Sequence, residues 1–173
     1  MITQLRTGPH PVDASDFEVC YETHWWPMVR LATGLLGDRA AAEDAVQEAF
    51  TAVYRKWPGL LATTRIGYLR VSVVNATRSV QRRQATRRKH LRAVEEPPAA
   101  AADAAMTAQF ERDELRRALE RLPQRQREVL VLRFISELPD TEIAQATGLS
   151  LGGVRSASSR GIAALRTSLG ELR

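Results

Sequence analysis

LPQRQREVLVLRFISELPDTEIAQATGLSLGGVRSASSRGIAAL, residues 122–165, is the stretch from which the rest of the chain is read. Its apolar spacing predicts one helix, a short break, and then two helices set against each other by a tight turn. Asp140, directly after Pro139, is placed to cap the backbone N–H groups of Thr141–Ala146, and Glu142 adds charge at the positive helix end. Thr147-Gly148-Leu149 closes that helix, and Gly148 can take the left-handed conformation such a turn needs. Ser150 then caps a second helix running to about Ser168. Val154, Ala157, Gly161 and Leu165 share one face of it, leaving Gly152, Gly153, Arg155, Ser156, Ser159 and Arg160 on the other. A short polar face with two arginines, on the second helix of a helix-turn-helix, is the geometry that enters a DNA major groove. A helical hairpin inside an ordinary bundle would share the turn glycine, so the pattern by itself leaves both open. The glycines of this second helix cost about 1 kcal/mol each against Ala, so packing has to hold it. The smallness of Gly152 and Gly153 would also let the helix start approach a DNA backbone closely.

Outward from there, composition narrows the classes. With 173 residues the chain suits one ordinary domain or two small ones. A formal charge of +5 and a pI near 10.1 favour an acidic polymer or surface as partner. Cys20 is the one cysteine, which excludes an intramolecular disulfide and a cysteine-cluster zinc site. His10, His24 and His90 have no metal-ligand spacing, and no cofactor motif is present. The N-terminal stretch lacks the apolar core of a signal peptide and no run approaches a membrane span, so a cytoplasmic protein without membrane insertion is expected.

Residues 1–14 read as a loose polar segment. From Asp16 an apolar stripe of helical period follows, which Pro27 should kink or divide. Gly37-Asp38 ends that element and caps the next. Between Arg39 and Trp57, Ala42, Ala45, Val46, Ala49, Phe50, Val53, Tyr54 and Trp57 fit the amphipathic template. The opposite face carries Glu43, Asp44, Gln47, Glu48 and Thr51, which on chemistry alone reads as a solvated surface.

A third helix runs from near Thr64 into the mid-eighties over Ile66, Leu69, Val73, Ala76 and Val80. From Arg65 to Val94 the chain has nine basic residues and no acid, whereas Asp16–Thr64 has seven acids against four bases. A basic run following Tyr68, Asn75, Thr77 and Ser79 suits a nucleic-acid backbone with bases nearby, and a solvated basic tail fits it equally. Pro97-Pro98 and the alanines around them break the pattern and read as a flexible linker over 93–109. Amphipathic helices at Phe110–Leu122 and Gln126–Ile135 then lead into the helix-turn-helix. No stretch alternates as a strand does. The expected fold is all-α: two small helical domains, 15–92 and 110–173, joined by the linker.

Three segments, Leu35–Trp57, Gly67–Arg83 and Leu122–Arg166, resemble the extracytoplasmic-function sigma factors, the small two-domain class of bacterial RNA polymerase sigma factors, and within it the actinobacterial group. The signatures are AEDAVQEAF and LP-x-x-x-R-E-V-L-x-L-R-F, specific in their order and spacing. The resemblance implies a non-enzymatic factor that binds core RNA polymerase through its largest subunits and recognises promoter DNA at the minus-ten and minus-thirty-five elements. Glu43, Asp44, Gln47 and Glu48 match the polymerase-docking segment. Tyr68 and Asn75, with Arg78, Arg82 and Arg83, match the segment that reads and opens the minus-ten element. Gly152, Gly153, Arg155, Ser156, Ser159 and Arg160 fall on the minus-thirty-five contacts, where arginine can read guanine or grip phosphate. The linker would thread near the polymerase active-site channel, and many relatives have an anti-sigma factor as a further partner. The chain departs from the family at Tyr68, often Trp, at Ser79, often Asp, at Gly153, usually Thr, and at Gly161, commonly Ala.

Two other classes compete with this reading. A stand-alone helix-turn-helix regulator would leave the basic and acidic helices of the first domain without a task. A nuclease using Glu43, Asp44 and Glu48 as metal carboxylates lacks a histidine or further acid in the motif to complete a site.

Overall fold

The structure is a computed structural model that describes residues 14–90 and 105–170. Among these residues it has seven α-helices, two short 3-10 turns and no strand. The segment expected to be loose, apart from Ala14, and most of the expected linker lie outside the described residues.

α1 (Ala14–Leu36) is one continuous helix with Pro27 inside it. Of the kink or division expected at Pro27, the division does not occur: Met28, Val29, Leu31, Ala32 and Leu35 are all buried beyond it, and that burial outweighs the missing hydrogen bond. Gly37 turns the chain at φ 73°, and Asp38 accepts a hydrogen bond from the Ala41 N–H (3.1 Å) as N-cap of α2 (Arg39–Lys56). The buried face of α2 is the expected one up to Val53, but Tyr54 is exposed. Trp57 opens a 3-10 turn and is buried beneath the Arg65 guanidinium, 4.1 Å from its ring. α3 (Arg65–His90) runs further than the apolar stripe suggested and buries Leu69, Val73, Val74, Ala76 and Thr77. Phe17, Tyr21, Trp25 and Phe50 form an edge-to-face and tilted cluster where α1 meets α2.

The second half begins with α4 (Ala105–Arg121), which starts inside the expected linker range. Ala118 and, just past its end, Leu122 are buried, while Leu115 is exposed. α5 (Gln124–Phe134) buries Glu128 through Leu132 and exposes Phe134. α6 (Asp140–Thr147) and α7 (Leu151–Gly170) complete the helix-turn-helix against α5. Gly148 ends α6 at φ 74°, and Ser150 Oγ accepts from the Gly153 N–H at 3.1 Å, both as expected.

Asp140 does not cap α6. It is already the first helical residue, with Pro139 at the cap position and no side-chain cap hydrogen bond. Its carboxylate instead pairs with Arg133 and lies 3.6 Å from Arg155 Nε, because two cations offer it more than an N–H of its own turn.

The two halves pack on each other: α3 meets α6, and α1 meets α5 and α4. Their buried side chains form one continuous apolar cluster. At Gly34 a Cβ would lie 2.7 Å from Ile135 Cδ1 and 3.0 Å from Val131 Cγ1, so α1 and α5 approach as closely as a glycine allows.

Candidate nucleic-acid interface

α2 presents Asp44, Gln47 and Glu48 to solvent because Ala42, Ala45, Val46 and Ala49 take the opposite side of the helix into the core. These three, with Thr51, Ala52 and Arg55, line a shallow depression of about 380 Å³. Glu43 stands beside it, half-exposed and paired with Arg39 at 2.8 Å. Among the described residues no group of three His, Cys, Asp or Glu gathers to hold a metal ion.

On α3, Arg82 and Arg83 are exposed, and Arg82 Nη2 donates to Ser79 Oγ at 2.9 Å. Tyr68 is partly buried against the core, with the Lys56 ammonium 5.4 Å from its ring centre. Asn75 is exposed, and its Oδ1 accepts from Arg78 Nη1 at 3.2 Å. Arg78 is turned toward the second half of the molecule. Its Nε and Nη2 donate to the two oxygens of Glu128 at 2.7 and 2.8 Å, and Nη2 also reaches the Thr147 carbonyl at 3.0 Å. The fork-on-fork contact holds the guanidinium pKa above its ordinary value. Of the five residues expected at the minus-ten element, Arg82, Arg83 and Asn75 are exposed, Tyr68 is partly buried, and Arg78 alone engages the second half.

On α7, Arg155, Ser156, Ser159 and Arg160 are exposed together with Gly152, and Gly153 is partly covered. Val154, Ala157, Ser158 and Gly161 face α5 and α6, which is why the polar face points outward. A cleft of about 520 Å³ extends this face, lined by Arg133, Arg155, Ser158, Ser159 and Arg166. Arg133 and Arg166 are additions that the sequence reading lacks. Arg166 lies eleven residues after Arg155, about three helical turns, and that spacing is the available signal. Glu128 is a further addition, and an acid directly before the apolar run Val129–Leu132 is a visible anomaly; its side chain is 3% exposed and also accepts from Gln124 and Arg125.

Comparison with known proteins follows the same division. The description "Sigma-70 region 2" matches residues 20–87, and "Sigma-70, region 4" matches residues 112–165. The RNA polymerase sigma-E factor of Streptomyces antibioticus is 32% identical over 158 residues, covering 89% of this chain and 84% of that protein. The sigma-E factor of Streptomyces coelicolor is 31% identical over the same length, 89% of this chain and 86% of that one. Among solved structures, the sigma factor RpoE in complex with the anti-sigma factor NepR from Bartonella quintana aligns with a TM-score of 0.71 at 21% identity, over 92% of this chain and 99% of that one. CnrH in complex with the cytosolic domain of CnrY aligns at 0.68 and 21% identity, over 92% and 90%. Two sigma regions in order, and relatives alike over nearly the whole length, place the chain in the sigma-70 family of RNA polymerase sigma factors, in its extracytoplasmic-function type, and so among the proteins that direct promoter-specific transcription initiation.

Proposed function

We propose that this chain works in the cytoplasm without catalysing a reaction, docking on the largest subunits of core RNA polymerase through Glu43, Asp44, Gln47 and Glu48 of α2. In this reading α3 grips the minus-ten strand through Arg78, Arg82 and Arg83, with Asn75 and Tyr68 beside the bases. α7 reads the minus-thirty-five duplex through Arg155, Ser156, Ser159 and Arg160, with Gly152 and Gly153 allowing close approach. The observation that carries it is the outward face of α7, where both arginines and both serines stand exposed behind a glycine helix start. The segregation of charge supports it: acids line the exposed face of α2, and arginines line α3 and α7. An anti-sigma factor is a further partner, a reading supported by the structural neighbour RpoE of Bartonella quintana, which is bound to the anti-sigma factor NepR.

The test is size-exclusion chromatography of the purified protein with bacterial core RNA polymerase, followed by run-off transcription on candidate promoter DNA. Co-elution with specific transcripts is expected. Tight duplex binding by the protein alone, with no co-elution, would replace this assignment with a stand-alone DNA-binding regulator.

A further inference from the structure

Every nitrogen of Arg78 already has a partner, and of its five N–H groups only one, on Nη1, has none. Nε and Nη2 serve Glu128, Nη2 also serves the Thr147 carbonyl, and Nη1 serves Asn75. Glu128 and Thr147 belong to the second half of the molecule, and both are buried. With its Nε/Nη2 edge forked onto a buried carboxylate, the guanidinium cannot offer that edge to a DNA phosphate at the same time. Other contacts hold the same closure: Arg70 pairs with Glu142, and Arg127 donates to the Leu35 carbonyl at 3.0 Å. Gly34 lets α5 seat directly on α1. Arg155 and Arg160 remain exposed throughout.

We propose that the Arg78–Glu128 pair is a latch between the two halves, which closes the free protein to the minus-ten strand while leaving the minus-thirty-five face of α7 open. This rests on the assignment of α3 to the minus-ten strand. Lobe packing and strand binding then compete for one side chain, and whatever spreads the halves, docking on polymerase above all, frees Arg78. The apparent affinity for single-stranded DNA is the intrinsic one scaled by the open fraction.

The experiment compares the full chain with Glu128→Gln, which keeps the shape and weakens the pair, and Gly34→Leu, which wedges α1 from α5. Arg78→Ala serves as a third variant that opens the latch and removes the DNA-gripping group together. Circular dichroism checks helix content, small-angle scattering gives the radius of gyration, and anisotropy reads binding of a fluorescein-labelled random single-stranded oligonucleotide. Glu128→Gln and Gly34→Leu are expected to expand the particle and bind the oligonucleotide about tenfold tighter if the open fraction is about one in ten. Arg78→Ala should expand without binding tighter. Helical but still compact Glu128→Gln and Gly34→Leu proteins, or a wild type already expanded, would overturn the latch. Expansion without any gain in oligonucleotide binding would uphold the pair as what joins the halves and overturn the minus-ten assignment of α3 instead.

Discussion

Side chains with similar exposure carry different expectations here, because charge decides what each can meet. Asp44 and Glu48 are exposed on α2, so replacing both with Lys reverses the charge of the proposed docking face without touching the core. Co-elution with core polymerase is expected to disappear while the helical circular dichroism signal stays; retained co-elution would remove these residues from the interface. Arg155 and Arg160 are the corresponding pair on α7. Their replacement with Ala is expected to weaken a minus-thirty-five footprint by about 1–3 kcal/mol for each arginine that bonds a base edge, and to leave polymerase binding unchanged. An unaltered footprint would mean that a different face of α7 meets DNA. All four of these positions are legible in the sequence, since alternation of apolar and polar residues at helical period predicts which side faces out. Arg78 is legible as a basic residue and not as one committed to an ion pair. Its partner Glu128 is fifty positions away, as the hydrogen bond between them spans |i−j| = 50, and no local pattern reports such a meeting.

At the scale of the helix, two glycines of α7 have opposite reasons. Gly161 lies where α7 crosses α5, and a Cβ there would sit 2.9 Å from Leu130 Cδ1. Gly161→Ala should gain about 1 kcal/mol of helix propensity and lose about 1–3 kcal/mol to overpacking, for a net loss of thermal stability. Adding Leu130→Val removes the clashing methyl, so the double variant should lose less than the sum of the singles in a denaturant-melt cycle. Gly152 has only Ser150 Oγ near it, at 4.0 Å. Gly152→Ala is therefore expected to raise Tm by about 2–4 °C, while the added methyl weakens duplex footprinting where the backbone approaches. Higher Tm with an unchanged footprint would show that the glycine has no part in DNA approach. Element ends are readable wherever the signal is local: Gly37, Asp38, Gly148 and Ser150 all act as turn or cap. Asp140 departs from its expected role because its partners, Arg133 and Arg155, come from the helices on either side of it.

For the molecule as a whole, His24 is a probe of the closed arrangement. It lines a cleft with Arg30 and Arg70 from the first half and Ile135, Ser136 and Glu137 from the second. Burial, and then the charge of Arg70, push its pKa below the ordinary histidine value. The unfolded chain takes up the proton first, so this contribution is whole above about pH 6.5 and is lost as pH falls through that value toward the lower folded one. Thermal melts should therefore drop on moving from about pH 7.5 to about pH 5.5, and His24→Gln should flatten that slope. An unchanged slope in the variant would place the acid sensitivity elsewhere.

What the sequence determined by itself was everything carried by neighbours within a few turns: helix faces, the caps at Asp38 and Ser150, the Gly148 turn, the division into two sigma regions and the exposed acidic and basic faces. These follow from period and from backbone conformations that few residues allow. Only the tertiary structure decided that Pro27 stays inside one helix, that Asp140 serves arginines, and that Arg78 and Glu128 meet across the two halves. The reason is physical: burial and ion pairing between distant segments are settled by which surfaces come together, and side chains far apart in the chain have no spacing from which that can be read.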